Sequence, residues 1–162
     1  MLVKNLTALE VLGLAIRQEI EAHKRYKLFA ERVANPLVKE KFISLAREEK
    51  AHKDLLFGML KKSTGEEKPP LPKKAPRFNR EAELNRSLPE ILELAIQKER
   101  EAQMFYAEAA KSATDPTGRR TLEYLAEFEK GHERVLKAEY DAIAKYPQWF
   151  EMEGADIMLV GP

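Results

Sequence analysis

Four glutamates and two histidines recur along this chain at a spacing that could hold a pair of metal ions. Glu49 and His52 form a Glu-x-x-His step, and Glu129 and His132 form the same step 80 residues later. Glu19 and Glu99 keep that offset of 80. In Glu-x-x-His the two side chains lie one helical turn apart, so one helix presents both on one face. Hard carboxylate oxygens with imidazole nitrogen suit Fe or Mn, and carboxylates can bridge two ions about 3.5–4 Å apart. The expected arrangement is one terminal histidine per ion, with Glu49 and Glu129 bridging and Glu19 and Glu99 more terminal. A lone Glu-x-x-His is usually a solvated surface pair. Two of them, each matched to a further glutamate at constant offset, argue for a ligand set.

The elements that carry these residues repeat as well. Residues 11–56 align without a gap on residues 91–136, so that Ala15 to Ala22 (AIRQEIEA) falls on Ala95 to Ala102 (AIQKEREA). Likewise Leu45 to His52 (LAREEKAH) falls on Leu125 to His132 (LAEFEKGH). Thr7 with Glu10 and Ser87 with Glu90 have the capping-box pattern of a helix start. Asn35-Pro36 and Asp115-Pro116 read as an N-cap followed by proline at the first helical position. Four helices follow, over about 8–33, 36–61, 88–113 and 116–145. Short links make each repeat an antiparallel helix hairpin. Each helix carries one apolar stripe, for example Leu12, Ile16, Glu19, His23, Tyr26 on the first and Phe42, Leu45, Glu49, His52, Leu56 on the second. A glutamate inside every stripe is the anomaly, because a buried carboxylate is costly unless paired or bound to a cation. No Lys or Arg shares those stripes. Glu19 lies about as far before the first turn as Glu49 and His52 lie after it, so all six side chains can converge in one layer.

The predicted fold is all-α: a four-helix bundle over 1–146, made of hairpins at about 7–61 and 87–145, with a tail at 147–162. The connection at 62–86 contains Pro69, Pro70, Pro72 and Pro76, which a helix interior would not accept. Extended, it reaches about 80 Å, twice the roughly 39 Å length of such a helix, which favours a crossover along the bundle. That reach would also let two chains exchange hairpins, and a homodimer is expected. Charge is balanced, 28 basic against 27 acidic residues for a net +1, so neither a nucleic-acid nor a membrane partner is indicated. With Cys 0, disulfides, zinc–thiolate sites, iron–sulfur clusters and a rubredoxin-type centre are excluded. No signal-peptide or membrane-helix pattern is found, and a cytoplasmic location is expected.

These residues resemble the ferritin-like di-iron carboxylate superfamily, and within it the rubrerythrins. Glu19 with Tyr26 and the EEKAH of the first half, and Glu99 with Tyr106 and the FEKGH of the second, carry the likeness across about residues 7–145. The resemblance implies a ferritin-like bundle and two metal ions, most suitably Fe with Mn or Zn as alternatives. It also implies that Tyr26 and Tyr106 hydrogen-bond ligand carboxylates, and each lies two helical turns from the glutamate on its own stripe, Glu19 and Glu99, a spacing that permits this. Rubrerythrins usually carry a rubredoxin module as well, for which this chain has no cysteine, and a further glutamate on the third helix. That place is Ala102 here, so the family's redox-linked ligand switch lacks its residue. The set is closer to an erythrin domain standing alone.

The implied activity is reduction of hydrogen peroxide or dioxygen, an oxidative-stress oxidoreductase re-reduced by a separate donor such as a rubredoxin or a flavoprotein. Two alternatives share the ligands: iron oxidation for storage, and a manganese site of catalase type. His23 lies one turn from Glu19 on the same stripe, with Gln103 as its repeat partner. It is expected to be a hydrogen-bonded core histidine, with an extra ligand or proton relay as the alternative. Glu21 and Glu101 point off the stripes and are expected in solvent.

Overall fold

Thr7 and Ser87 each open a helix by the same device. The computed structural model describes residues 6–68 and 86–148. Helix α1 spans Ala8–Arg32, α2 spans Pro36–Thr64, α3 spans Leu88–Ser112 and α4 spans Pro116–Lys145. At the start of α1 the Thr7 hydroxyl accepts from the Glu10 N–H at 3.2 Å, and the Glu10 carboxylate accepts from the Thr7 N–H at 3.0 Å. Ser87 and Glu90 repeat the exchange on α3. Asn35 Oδ1 accepts from the N–H groups of Leu37 and Val38 at 3.0 and 3.2 Å, and Asp115 accepts from Gly118 at 2.6 Å. These caps satisfy amide donors that have no partner within the helix. Helix α2 runs three residues past its expected end at Lys61. It stops at Gly65, whose φ of 75° is the left-handed conformation that glycine adopts without a Cβ penalty.

Within each hairpin the helices pack closely along their length, whereas the two hairpins stand further apart. Contacts across that gap fix the directions. Tyr26 meets Glu99 and Glu19 meets Tyr106, so α1 and α3 are antiparallel. His52 meets Glu129 and Glu49 meets His132, so α2 and α4 are antiparallel too. It follows that α2 and α3 point the same way, so α2 ends and α3 begins at opposite ends of the bundle, as the expected ferritin-like order requires. Most of the connection (69–85) and the tail from 149 onward, including the apolar tip at 157–160, lie outside the described residues.

The apolar core is divided in two. One cluster, with Tyr26, Phe29, Val33, Val38, Phe42 and Leu92, fills the end of the bundle where α1 turns into α2. The other, with Val11, Ile16, Leu56, Leu60, Tyr106 and Leu125, fills the opposite end. Each large side chain buried here contributes about 1.5–3 kcal/mol. Between the two plugs lies a polar layer. Among the described residues no helix is long and apolar enough to cross a membrane.

Candidate metal centre

Glu19 comes from the middle of α1, Glu49 and His52 from α2, Glu99 from α3, and Glu129 and His132 from α4. All six sit in the layer between the plugs and are only 1% to 4% exposed. They form two overlapping groups: Glu19, Glu49, His52 and Glu129, and Glu49, Glu99, Glu129 and His132. In each group one donor atom per residue lies within 4.8 Å of every other. Glu49 and Glu129 belong to both groups, while Glu19 and Glu99 belong to one each. Each hairpin therefore completes the other's set.

Hydrogen bonding within the protein leaves this layer unsatisfied. His52 Nδ1 lies 3.2 Å from Glu49 Oε2 and 3.5 Å from both Glu19 Oε2 and Glu129 Oε1. His132 Nδ1 lies 3.2 Å from Glu129 Oε2, 3.2 Å from Glu49 Oε1 and 3.4 Å from Glu99 Oε2. A single N–H cannot serve three carboxylates. Four buried oxygens, Glu19 Oε2, Glu49 Oε1, Glu99 Oε2 and Glu129 Oε1, receive no hydrogen bond. Such orphaned acceptors are costly, and a cation in each group would satisfy them. Oxygen and imidazole donors in this number fit a dinuclear metal site.

The electrostatics point the same way. Burial pushes the Glu19 carboxyl well above its ordinary range, and the charge of Glu49 adds to this. Burial likewise raises Glu99 to about 8, with His132 opposing and Glu129 reinforcing. Burial would raise Glu49 and Glu129 as well, but hydrogen bonds from His132 and His52 bring both below the ordinary carboxylate value. Burial disfavours the His52 imidazolium, yet Glu129, Glu19 and Glu49 together hold its pKa up to about 12. His132 is raised by the same balance, with Glu129, Glu49 and Glu99 overcoming burial. The layer draws positive charge to itself.

Both tyrosines reach this layer, each across the gap between hairpins. The Tyr26 hydroxyl donates to Glu99 Oε1, and the Tyr106 hydroxyl donates to Glu19 Oε1. The partner is not the glutamate two turns, about 10 Å, along the same helix, where the stripe had set it. The antiparallel register of α1 and α3 supplies the partner instead. Burial, followed by the neighbouring carboxylate charge, pushes both phenols well above their usual value, so each keeps the proton it donates.

His23 is in neither group of possible ligands. It is half-buried, and its Nδ1 is 2.7 Å from the Ala46 carbonyl oxygen, tying α1 to α2. Glu21 departs from expectation. It is buried, not solvated, because Arg17 one turn earlier reaches it with Nε 2.9 Å from Oε1, and a paired carboxylate tolerates burial. Glu101 remains exposed, beside Gln97 and Lys98. The stripes did not reveal Glu48, whose carboxylate accepts from His132 Nε2 at 3.0 Å, or the Lys41–Glu139 ion pair between α2 and α4. Glu48 and Lys41 sit where the repeat is broken, their counterparts being Phe128 and Thr121, and Glu139 lies just past the end of the repeat.

The chain is similar to a hypothetical protein from Pyrococcus furiosus, at 30% identity over 89% of this chain and 94% of that one, with a TM-score of 0.78. It is also similar in fold to a bacterioferritin from Rhodobacter capsulatus, at 23% identity over 88% and 89% of the two chains, with a TM-score of 0.74. A manganese catalase from Anabaena has the same bundle, at 20% identity over 90% and 78%, with a TM-score of 0.71. No curated protein sequence matches. The family profile for rubrerythrin matches residues 10–140, from the first turn of α1 through most of α4, and this chain belongs to the rubrerythrin family.

Proposed function

We propose that this chain is a dinuclear-metal oxidoreductase, with iron its favoured metal, that reduces hydrogen peroxide or dioxygen with electrons from an external donor. The observation that carries the reading is the pair of overlapping ligand groups with four orphaned, buried carboxylate oxygens at their centre. Glu19, Glu49, His52 and Glu129 would hold one ion, and Glu49, Glu99, Glu129 and His132 the other. Such a pair of redox-active ions, when bound, supplies one electron each toward cleavage of an O–O bond. The protein contributes positioning. Tyr106 and Tyr26 fix the orientation of Glu19 and Glu99, leaving one oxygen of each free to ligate. The two apolar plugs close the layer at both ends, which strengthens every charge interaction inside it. With Cys 0, the chain has neither thiol nor iron–sulfur chemistry of its own, so its electrons come from a separate donor such as a rubredoxin or a flavoprotein.

Anaerobic stopped-flow absorbance of ferrous-loaded protein mixed with peroxide tests the reading. Oxidation of two irons per chain, lost in Glu49→Ala, is expected. Absence of peroxide-driven oxidation overturns it. Uptake of iron far beyond two per chain, in an assembly large enough to enclose mineral, would instead support storage. Manganese in protein purified from its native host would point to catalase-type chemistry.

A further inference from the structure

The internal repeat would make the two halves of the metal layer equivalent, but it is broken at two adjoining positions beside the ligands. In the first hairpin Ser44 and Glu48 stand one turn apart on α2, and the Ser44 hydroxyl donates to Glu48 Oε1 at 3.2 Å. Eighty residues later the same positions on α4 are Tyr124 and Phe128, whose rings pack with centroids 4.7 Å apart. One member of each pair meets the other hairpin's histidine, and Phe128 also lies edge-to-face with His132 of its own hairpin at 6.2 Å. Glu48 Oε2 accepts from His132 Nε2 at 3.0 Å, while Phe128 meets the His52 ring edge-on at 5.1 Å and 88°. Both imidazoles turn Nδ1 toward the carboxylates, and their rings lie 5.7 Å apart at 22°. The two histidines are therefore posed alike toward the metal layer and differently on their outer side.

We propose that Glu48, held by Ser44, is a positioning residue that makes the two metal half-sites unequal. The half-site built on Glu99 and His132 takes its ion first and more tightly. A carboxylate on the outer nitrogen of a ligating histidine fixes the tautomer that leaves Nδ1 as the donor, locks the ring's orientation and strengthens it as a ligand. A phenyl ring against His52 packs the imidazole but accepts no N–H bond of comparable strength. Loss of such an outer partner typically weakens metal affinity about 10–100-fold, which sets the size of the expected inequality. The inference rests on the dinuclear reading given above.

Titration of the full chain with cobalt(II), followed by its absorbance and by competition with a chelator, tests both separately. The total number of ions reports on the dinuclear reading, and the spacing of the two steps reports on Glu48. Two steps differing by about 10–100-fold are expected. Glu48→Ala should weaken only the tighter step by that factor, and Glu48→Asp should restore part of it. Phe128→Glu, which offers His52 a carboxylate, should tighten the weaker step. In zinc-loaded protein the Nε2–H proton of His132 should be protected from exchange, and this protection should be lost in Glu48→Ala. Two ions bound with equal affinity, or a Glu48→Ala variant that weakens both steps alike, overturns the inequality while leaving the dinuclear site standing. Failure to bind any metal overturns both.

Discussion

A glutamate at the centre of an apolar stripe carries information because burial penalises it so heavily. Four of them at matching positions were visible in the sequence, and the structure brings them within one layer with two histidines. Their protonation gives a pH dependence with a definite sign. Glu99 has its pKa raised to about 8 and Glu19 is raised in the same direction, so the folded protein holds protons there that the unfolded chain releases above about 4.5. Stability from these groups is present at low pH and falls as pH rises from about 4.5 through 8. The His52 contribution, with its pKa held at about 12, is likewise full below 6.5 and declines as pH rises toward 12. Glu49 and Glu129 act oppositely, since their lowered values make their contribution fade only below the ordinary carboxylate range. Chelator-treated protein should therefore melt at a lower temperature at pH 8 than at pH 5. Metal affinity should rise over the same interval, because ligands must shed protons to bind. Thermal melts with and without metal across this range check both signs. Glu19→Gln with Glu99→Gln should flatten the slope of the chelator-treated protein; an unchanged slope would assign it to other groups. Glu48 was harder to read at this scale. Its contact with His132 crosses between hairpins, although its mismatch with Phe128 in the repeat marked the place.

Helix starts were legible because caps are local. Thr7, Asn35, Ser87 and Asp115 bond to amides no more than three residues away, so nothing distant is needed to predict them. The end of α2 was less legible: Ser63 and Thr64 bond back to the carbonyls of Met59 and Leu60 and prolong the helix to Gly65. Packing between elements is where the repeat loosens. The plug at the first turn is aromatic, with Phe42 stacked on Tyr26 at 6.0 Å and tilted against Phe29 at 5.5 Å. The opposite plug has Ala109 and Leu122 at the corresponding places. Phe42→Ala should cost about 3–5 kcal/mol, since it empties a fully buried site beside the tyrosine that holds Glu99. Urea unfolding with an unchanged m value measures this. A loss below about 1 kcal/mol would mean that the plug collapses around the gap.

For the molecule as a whole, neither hairpin contains a complete site. Glu49 and Glu129 are shared by both ligand groups, whereas Glu19 and Glu99 each serve one. Removing a shared ligand should therefore differ from removing a terminal one. Glu129→Ala is expected to retain no ion after desalting, and Glu19→Ala to retain one ion per chain, on the His132 side. Elemental analysis distinguishes these outcomes, and equal losses in both variants would show that the groups do not overlap in function. The sequence by itself determined the helices, their caps, the doubled hairpin and the identity of the six candidate ligands. Each of those depends on periodicity or short-range bonding, which a linear pattern records. Only the tertiary structure decided which oxygens are shared, that each tyrosine serves the opposite hairpin's glutamate, and that Glu48 braces one histidine while Phe128 packs the other. Those relations arise from the antiparallel register of α1 with α3 and of α2 with α4 across the gap between the hairpins. The positions they join are 73 to 87 residues apart in the chain, a separation at which local pattern carries no register.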